Sequence, residues 1–268
     1  MKLYVKGYSS YRSDEEEIDR KKELKQKYKL DTRRQDSFVH LALLGAQRLK
    51  ETTDINTTDE LYITSGIGNI EIIQKIYKSV KIEKELIRPF DFINVLGNTT
   101  SYYVASSLNL KNKNIFQISD NFTFINTLIS IYASLYNSNK EAILGSVDLL
   151  SSPKSISNNL LGVDEDFQII SSSSYQKFSF NKENTIATIE FGTKIYTLDE
   201  IKEYLTTVDK KIIFSPRCKE FQTKNKIFFS ETIISNIINQ HIKEKIDFFY
   251  IDSFEDKYKI LNLHTNTI

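Results

Sequence analysis

The stretch FQISDNFTFINTLISIYASLY, Phe116 to Tyr136, carries the most information about the fold. Its first part belongs to NIFQIS, Asn114 to Ser119, an apolar run of strand length. A polar break follows. From Phe122 to Tyr136 apolar side chains then occur almost all round a helix rather than along one stripe. A helix of that kind is stable only when protein surrounds it. Phe122–Tyr136 is therefore predicted as a central buried helix, entered directly from a strand.

Outward from it, strand-like and helix-like segments alternate. Met1–Gly7 sets Leu3 and Val5 against Lys2 and Lys6 and reads as a strand. Ser13–Tyr28 is densely charged and opens with the capping-box pair Ser13 and Glu16, which predicts a solvated helix. Arg33–Glu51 is a stronger helix, with Phe38, Leu41, Leu44 and Leu49 on a broad apolar face. Glu60–Thr64 (ELYIT) reads as a buried strand closed by the turn Ser65–Gly68, and Glu71–Val80 as the next helix. The apolar run Phe92–Leu96 is expected to break at Gly97-Asn98, before a helix over Thr100–Leu108. Further on, Glu141–Val147, Thr185–Glu190, Lys194–Thr197, Lys211–Phe214, Ile246–Ile251 and Tyr258–Leu263 read as strands. Leu198–Thr206 and Ser230–Glu244 read as helices. Ser151–Asn159 and the serine run Ser171–Ser174 read as loops. The alternation predicts an α/β fold with a largely parallel sheet covered on both faces.

Composition narrows the function classes. In 268 residues, 36 Lys and Arg face 35 Asp and Glu, a net charge of +1 that gives a nucleic-acid partner no support. Cys218 is the single cysteine, which excludes an internal disulfide and a cysteine-built zinc site. His40, His241 and His264 are far apart and show no metal-ligand spacing. Glycine is only 8 of 268 residues, where about 7% is usual, and neither common phosphate-cradling glycine motif occurs. No metal and no cofactor is implied. The N-terminal MKLYVKGYSS turns polar too soon for an export signal, and no apolar run reaches membrane-spanning length. The reading is a cytoplasmic protein without membrane insertion.

Taken in order, these segments resemble the β-ketoacyl synthase family of the thiolase fold. Arg33-Arg34 and the helix after it look like the family's opening. LYITSGIGN, Leu61 to Asn69, is similar to the strand and Ser-Gly turn that follow, and PFDFINVLGNTTSYYVASSLNLK, Pro89 to Lys111, to the next family segment. Phe116–Tyr136 resembles the nucleophile strand, elbow and buried helix. EAILGSVDLL, Glu141 to Leu150, resembles the strand ending in GG-x-D. ENTIATIE, Glu183 to Glu190, and SETIISNIINQHIKEKIDFFYIDS, Ser230 to Ser253, carry the likeness through the second half. The resemblance implies a layered thiolase-like fold with mixed sheets and a central buried helix, C-terminally shortened. It divides the chain into an N-terminal half, 1–160, and a shortened C-terminal half, 161–268.

The departures from the family bear on function. The family carries a cysteine nucleophile at the elbow, and the alignment puts Phe122 there; a benzyl group cannot hold an acyl chain as a thioester. The first histidine position falls on Asp252, whose negative charge would repel a developing oxyanion. The second histidine and the glycine-rich tail have no counterpart; His264-Thr265-Asn266-Thr267 echoes that motif without its glycines. The resemblance thus implies no catalytic residue. It implies a chain-length-factor-type subunit, in the manner of those that pair with an active ketosynthase on acyl-carrier-protein-bound chains in polyketide, fatty-acid-like or aryl polyene biosynthesis.

Under that reading the elbow strand pairs antiparallel with a partner. Phe116, Ile118, Asn121, Phe122 and Phe124 are the candidate interface or tunnel residues. Phe122 has two open roles, filling a vacated pocket as core or shaping an acyl tunnel by bulk. Cys218, His40 and His241 read as structural, as does Asp148 at a strand end. Lys21, Lys22 and Lys25 could meet an acidic carrier protein. Two rivals stay open: an acyltransferase or hydrolase using Ser65 or Ser119, and a homo-oligomeric scaffold that kept only the fold.

Overall fold

A computed structural model describes residues 1–119, 121–150, 170–221 and 233–265. Nine strands form one hydrogen-bonded sheet: β1 (Lys2–Arg12), β2 (Glu60–Ser65), β3 (Asn114–Ile118), β4 (Ala142–Asp148), β5 (Ser172–Ser179), β6 (Ala187–Phe191), β7 (Lys211–Phe214), β8 (Phe248–Phe254) and β9 (Lys257–Thr265). Their order is β3-β2-β4-β5-β1-β6-β9-β8-β7. The described helices are α1 (Arg20–Gln26), α2 (Ser37–Thr52), α3 (Ile70–Tyr77), α4 (Pro89–Val95), α5 (Gly97–Ser107), α6 (Thr123–Leu135), α7 (Leu198–Leu205) and α8 (Ile233–Glu244), with a π-helical turn, Lys78–Glu83, continuing α3.

The sheet is mixed rather than largely parallel. Only β2–β3, β2–β4 and β7–β8 run parallel; the other five pairings are antiparallel. Its order contains an internal repeat. Strands β1–β5 lie as third, second, fourth, fifth, first. Strands β6–β9 lie as first, last, next-to-last, second, with matching parallel and antiparallel pairings. In the second repeat α8 precedes β8 as α6 precedes β4. β5 lies beyond the division expected at residue 160, yet it is hydrogen-bonded between β4 and β1, so the first repeat runs to Ser179.

β1 joins the two repeats. It pairs with β5 along Tyr4–Arg12 and with β6 only over Lys2–Val5. The layers follow from which face each helix covers. α2 and α5 pack on the outer face of the first repeat, where Leu41, Leu44 and Leu49 meet Leu61, Ile63, Ile143 and Tyr175. α6 and α8 occupy the inner layer, and Phe124, Leu128, Ile131, Ile234 and Ile238 share one core with β4, β8 and β9. α7 covers the outer face of the second repeat through Ile201, against Ile251 and Tyr258. The predicted central buried helix is α6.

Several local expectations are corrected. The serine run Ser171–Ser174 is not a loop; Ser172–Ser174 opens β5, which is buried on both faces. Small side chains there let helices approach both sides. Tyr175 lies across Gly45 and Gly145, where an added Cβ would come within 2.7 Å and 2.3 Å of its ring. The helix expected over Ser13–Tyr28 is only Arg20–Gln26, capped by Asp19, because β1 continues to Arg12. The capping box forms instead at Thr197 and Glu200, opening α7. Gly97 does not break the chain but starts α5. In Lys194–Thr197 only Tyr196 makes a bridge, to Tyr258. Ser151–Asn159 lies outside the described residues.

Candidate functional site

β3 ends at Ile118 and α6 begins at Thr123, so the chain turns within a few residues. Phe122 sits at the turn with φ 44° and ψ 35°, the left-handed region. For a non-glycine residue that conformation costs about 1–2 kcal/mol. The surroundings hold it there. The Ser119 hydroxyl donates to the Asn121 carbonyl at 3.0 Å, the Thr123 hydroxyl to the Ser119 carbonyl at 2.6 Å, and the Asn126 amide to the Asn121 carbonyl at 3.1 Å. The Phe122 ring is 4% exposed. The first turn of α6 receives no side-chain cap.

A buried ammonium faces this elbow from β9. Lys259 Nζ donates to Asn126 Oδ1 at 2.6 Å and lies 5.4 Å from the centre of the Phe122 ring. Burial pushes its pKa below the ordinary lysine value, with the Asp252 charge opposing. Asp252, in β8, is itself buried; burial raises its carboxyl above the ordinary range, against the pull of Arg217 and Lys259. The Asp252 carboxylate accepts the Ser253 amide at 3.0 Å and is hydrogen-bonded by Ser215.

The internal repeat relates this pair to another. Ser65, ending β2, donates from its hydroxyl to Asp148 Oδ1 at 3.0 Å, and the Gly66 amide donates to the same oxygen at 2.8 Å. Asp148 ends β4 as Asp252 lies near the end of β8, and Ser215 follows β7 as Ser65 ends β2. In each repeat a serine after the second strand meets an aspartate on its parallel neighbour. Both arrangements tie two strand ends together, as expected for Asp148. Ser65 is wholly buried with its hydroxyl held on Asp148, and Ser119 Oγ is engaged with Asn121.

The other candidate groups lie elsewhere. Cys218 is fully buried, its thiol donates to the Ile251 carbonyl at 3.3 Å, and burial pushes its pKa up to about 12. A thiol in that state is a core residue and not a nucleophile. His40 is hydrogen-bonded to the Thr32 carbonyl and His241 to the Ile237 carbonyl and Lys211; burial lowers both pKa values. His264 is paired in β9, beside Glu190 and Asp247. Among the described residues no group of three His, Cys, Asp or Glu side chains could hold a metal. No described helix is long and apolar enough to cross a membrane.

The surface holds a second feature. Among the described residues fourteen large apolar side chains are exposed, and twelve of them fall between Ile73 and Ile118. Ile118 ends β3, which pairs only with β2 among the described strands, and α5 packs against β3 through Gly97 and the Phe116 ring. Of the five candidate interface residues, Ile118 is 51% exposed, Phe116 and Asn121 are half-buried, and Phe122 and Phe124 are buried. The exposed side chains the sequence reading missed are Phe90, Phe92 and Ile93 of α4, Leu96 just beyond it and Tyr102 of α5. Their apolar character was visible, but their exposure depends on which neighbours tertiary packing supplies. Lys21, Lys22 and Lys25 are all exposed along α1.

No protein-family model matches the chain, and no curated protein matches it in sequence. Solved structures do match in fold. An ishigamide ketosynthase/chain length factor superposes with a TM-score of 0.70 over 100% of both chains at 10% sequence identity. The chain in the structure of AntDE:AntF, a type II polyketide synthase acyl-carrier protein in complex with its ketosynthase, gives 0.65 over 99% of both chains at 11% identity. The Xenorhabdus doucetiae ketosynthase ApeO in complex with its chain length factor ApeC gives 0.60 over 98% of this chain and 99% of that one at 10% identity. The protein therefore has the thiolase-like layered fold of ketosynthases and chain length factors.

Proposed function

We propose that the protein is a non-catalytic, chain-length-factor-type subunit that pairs with an active β-ketoacyl synthase, in a polyketide, fatty-acid-like or aryl polyene pathway. The observation that carries this reading is Phe122. It occupies the strained turn at the mouth of the central helix, the position to which the sequence resemblance assigns the family's nucleophile, and its ring is packed hydrocarbon. The sole thiol is buried, hydrogen-bonded and protonated at neutral pH. Decarboxylative condensation requires a covalent thioester and histidines to polarise it; the elbow supplies neither. Phe122 is the core filler of a vacated site. Asp252 stands for the first histidine only as a strand-end tie.

Partnership is supported by the free edge of β3 amid exposed apolar side chains. An edge strand in that setting is an aggregation hazard unless another chain covers it. A ketosynthase strand adding antiparallel to β3 would satisfy its backbone groups and bury Ile118, Phe92 and Leu96. The acyl carrier protein is then reached through the ketosynthase.

The test is co-expression with the ketosynthase encoded nearest to this gene. A stoichiometric complex that condenses malonyl units is expected, along with no activity from this chain alone. Incubation of the single chain with an acyl-carrier thioester should leave its intact mass unchanged. A stable acyl adduct, or turnover without a partner, would overturn the proposal.

A further inference from the structure

The segment joining α3 to α4 projects from the molecule. Every residue from Lys81 to Phe90 is exposed, and the π-helical turn Lys78–Glu83 buries no side chain. Its apolar residues point outward: Tyr77, Ile82, Ile87, and Leu86 at 95% exposure. From Lys75 to Asp91 five cations, Lys75, Lys78, Lys81, Lys84 and Arg88, are set among them against three carboxylates, Glu83, Glu85 and Asp91. Lys75 pairs with Asp91 at 2.8 Å and Lys78 with Glu83 at 3.2 Å. Among the described residues, Lys81, Lys84 and Arg88 have no carboxylate within ion-pair distance. The whole chain carries only +1, so this excess is local.

We propose that this arm selects the partner by charge. It fits a protein whose facing surface is apolar at its centre and rimmed with carboxylates, and it disfavours a second copy of this chain. This inference rests on the pairing proposed above and adds to it the chemistry of the partner's surface. A two-fold dimer joins one patch to itself. A second copy would bring its own lysines to the same apolar ground, where like charges oppose closure as water leaves. An acid-rimmed partner is attracted by the same cations and steered toward the patch.

The arm is continuous with the sheet edge. It runs into α4 and then α5, and Gly97 at the start of α5 packs directly against the Phe116 ring of β3. That continuity favours a protein occupant over an anionic lipid surface, since hydrocarbon cannot satisfy the free backbone groups of an edge strand.

The test compares wild type with the triple variant Lys81→Glu, Lys84→Glu, Arg88→Glu. All three side chains are exposed, and an unchanged circular dichroism spectrum would show that the fold is kept. Titrated with the co-expressed ketosynthase, wild type should bind about tenfold more weakly in roughly 0.5 M salt than in roughly 0.05 M salt. The triple variant should bind about a hundredfold more weakly at low salt. Mixed with each other, wild type and variant should form a complex that neither forms alone. A ketosynthase complex indifferent to salt and to the triple variant would leave the pairing standing and overturn the arm's role. Failure to form a ketosynthase complex at any salt would overturn the pairing and the arm together. Phosphatidylserine vesicles that bind wild type but not the variant, with ketosynthase binding unaffected, would assign the arm to a lipid surface and overturn the proposal.

Discussion

Lys259 of the last strand holds its ammonium 5.4 Å from the centre of the Phe122 ring, so the two repeats meet at the elbow through a cation and an aromatic face. The same lysine is tied to Asn126 on α6. The elbow is therefore a closed structural joint, and the consequences can be measured.

Phe122 combines full burial with positive φ, and these oppose each other in substitutions. Phe122→Ala loses the ring and keeps the strain, a cost of about 3–5 kcal/mol. Phe122→Gly loses the same ring but relieves the backbone, and should be about 1 kcal/mol less damaging than alanine. Urea unfolding of both variants checks the order. Phe122→Cys should put sulfur at the elbow without giving condensation, because no histidine is held beside it; a malonyl-condensation assay on the partner-free variant checks this.

Cys218 should be silent to thiol reagents. With its pKa pushed up to about 12 and its side chain wholly buried, almost no thiolate exists or is reachable at neutral pH. Labelling with a disulfide reagent should proceed only after denaturant is added. Rapid native labelling would contradict the geometry at the Ile251 carbonyl.

Gly145 has no room for a methyl group, since a Cβ there would come within 2.3 Å of the Tyr175 ring. Gly145→Ala should destabilise by about 1–3 kcal/mol. Adding Tyr175→Ala should relieve most of that cost, leaving the contact with Ile63 Cδ1 at 2.8 Å. A double-mutant cycle in urea measures that coupling. Tyr175→Phe separately removes the hydroxyl that donates to the Ala42 carbonyl at 2.9 Å, a loss of about 1 kcal/mol.

Acid should weaken the fold through His241. Its Nδ1 donates to the Ile237 carbonyl and its Nε2 accepts from Lys211, which requires the neutral ring. Burial lowers its pKa below the unfolded value of 6.5. Between the two values the unfolded chain binds more protons, so the stability is fully present above about 6.5 and is lost as pH falls through the folded pKa. His40, lowered for the same reason, adds in the same direction. Denaturation curves across that window should show the loss, and His241→Gln should flatten part of it.

The elbow was legible because its signals are local. A strand, a polar break and a helix apolar almost all round need only the order of residues along the chain, and the absence of sulfur at position 122 is a matter of identity. β5 was not legible. Ser172, Ser173 and Ser174 have the composition of a loop, and only the close approach of α2 and α8, with Tyr175 lying across two glycines, makes small side chains the ones that fit.

The sequence by itself determined the alternation of elements, the buried central helix and the phenylalanine at position 122, since spacing and residue identity are properties of the chain alone. Tertiary structure decided the mixed sheet, the paired Ser–Asp ties and, among the described residues, the exposed apolar side chains near β3. Each of those depends on which distant segments meet, and strand pairing and solvent exposure are long-range quantities that no local pattern encodes.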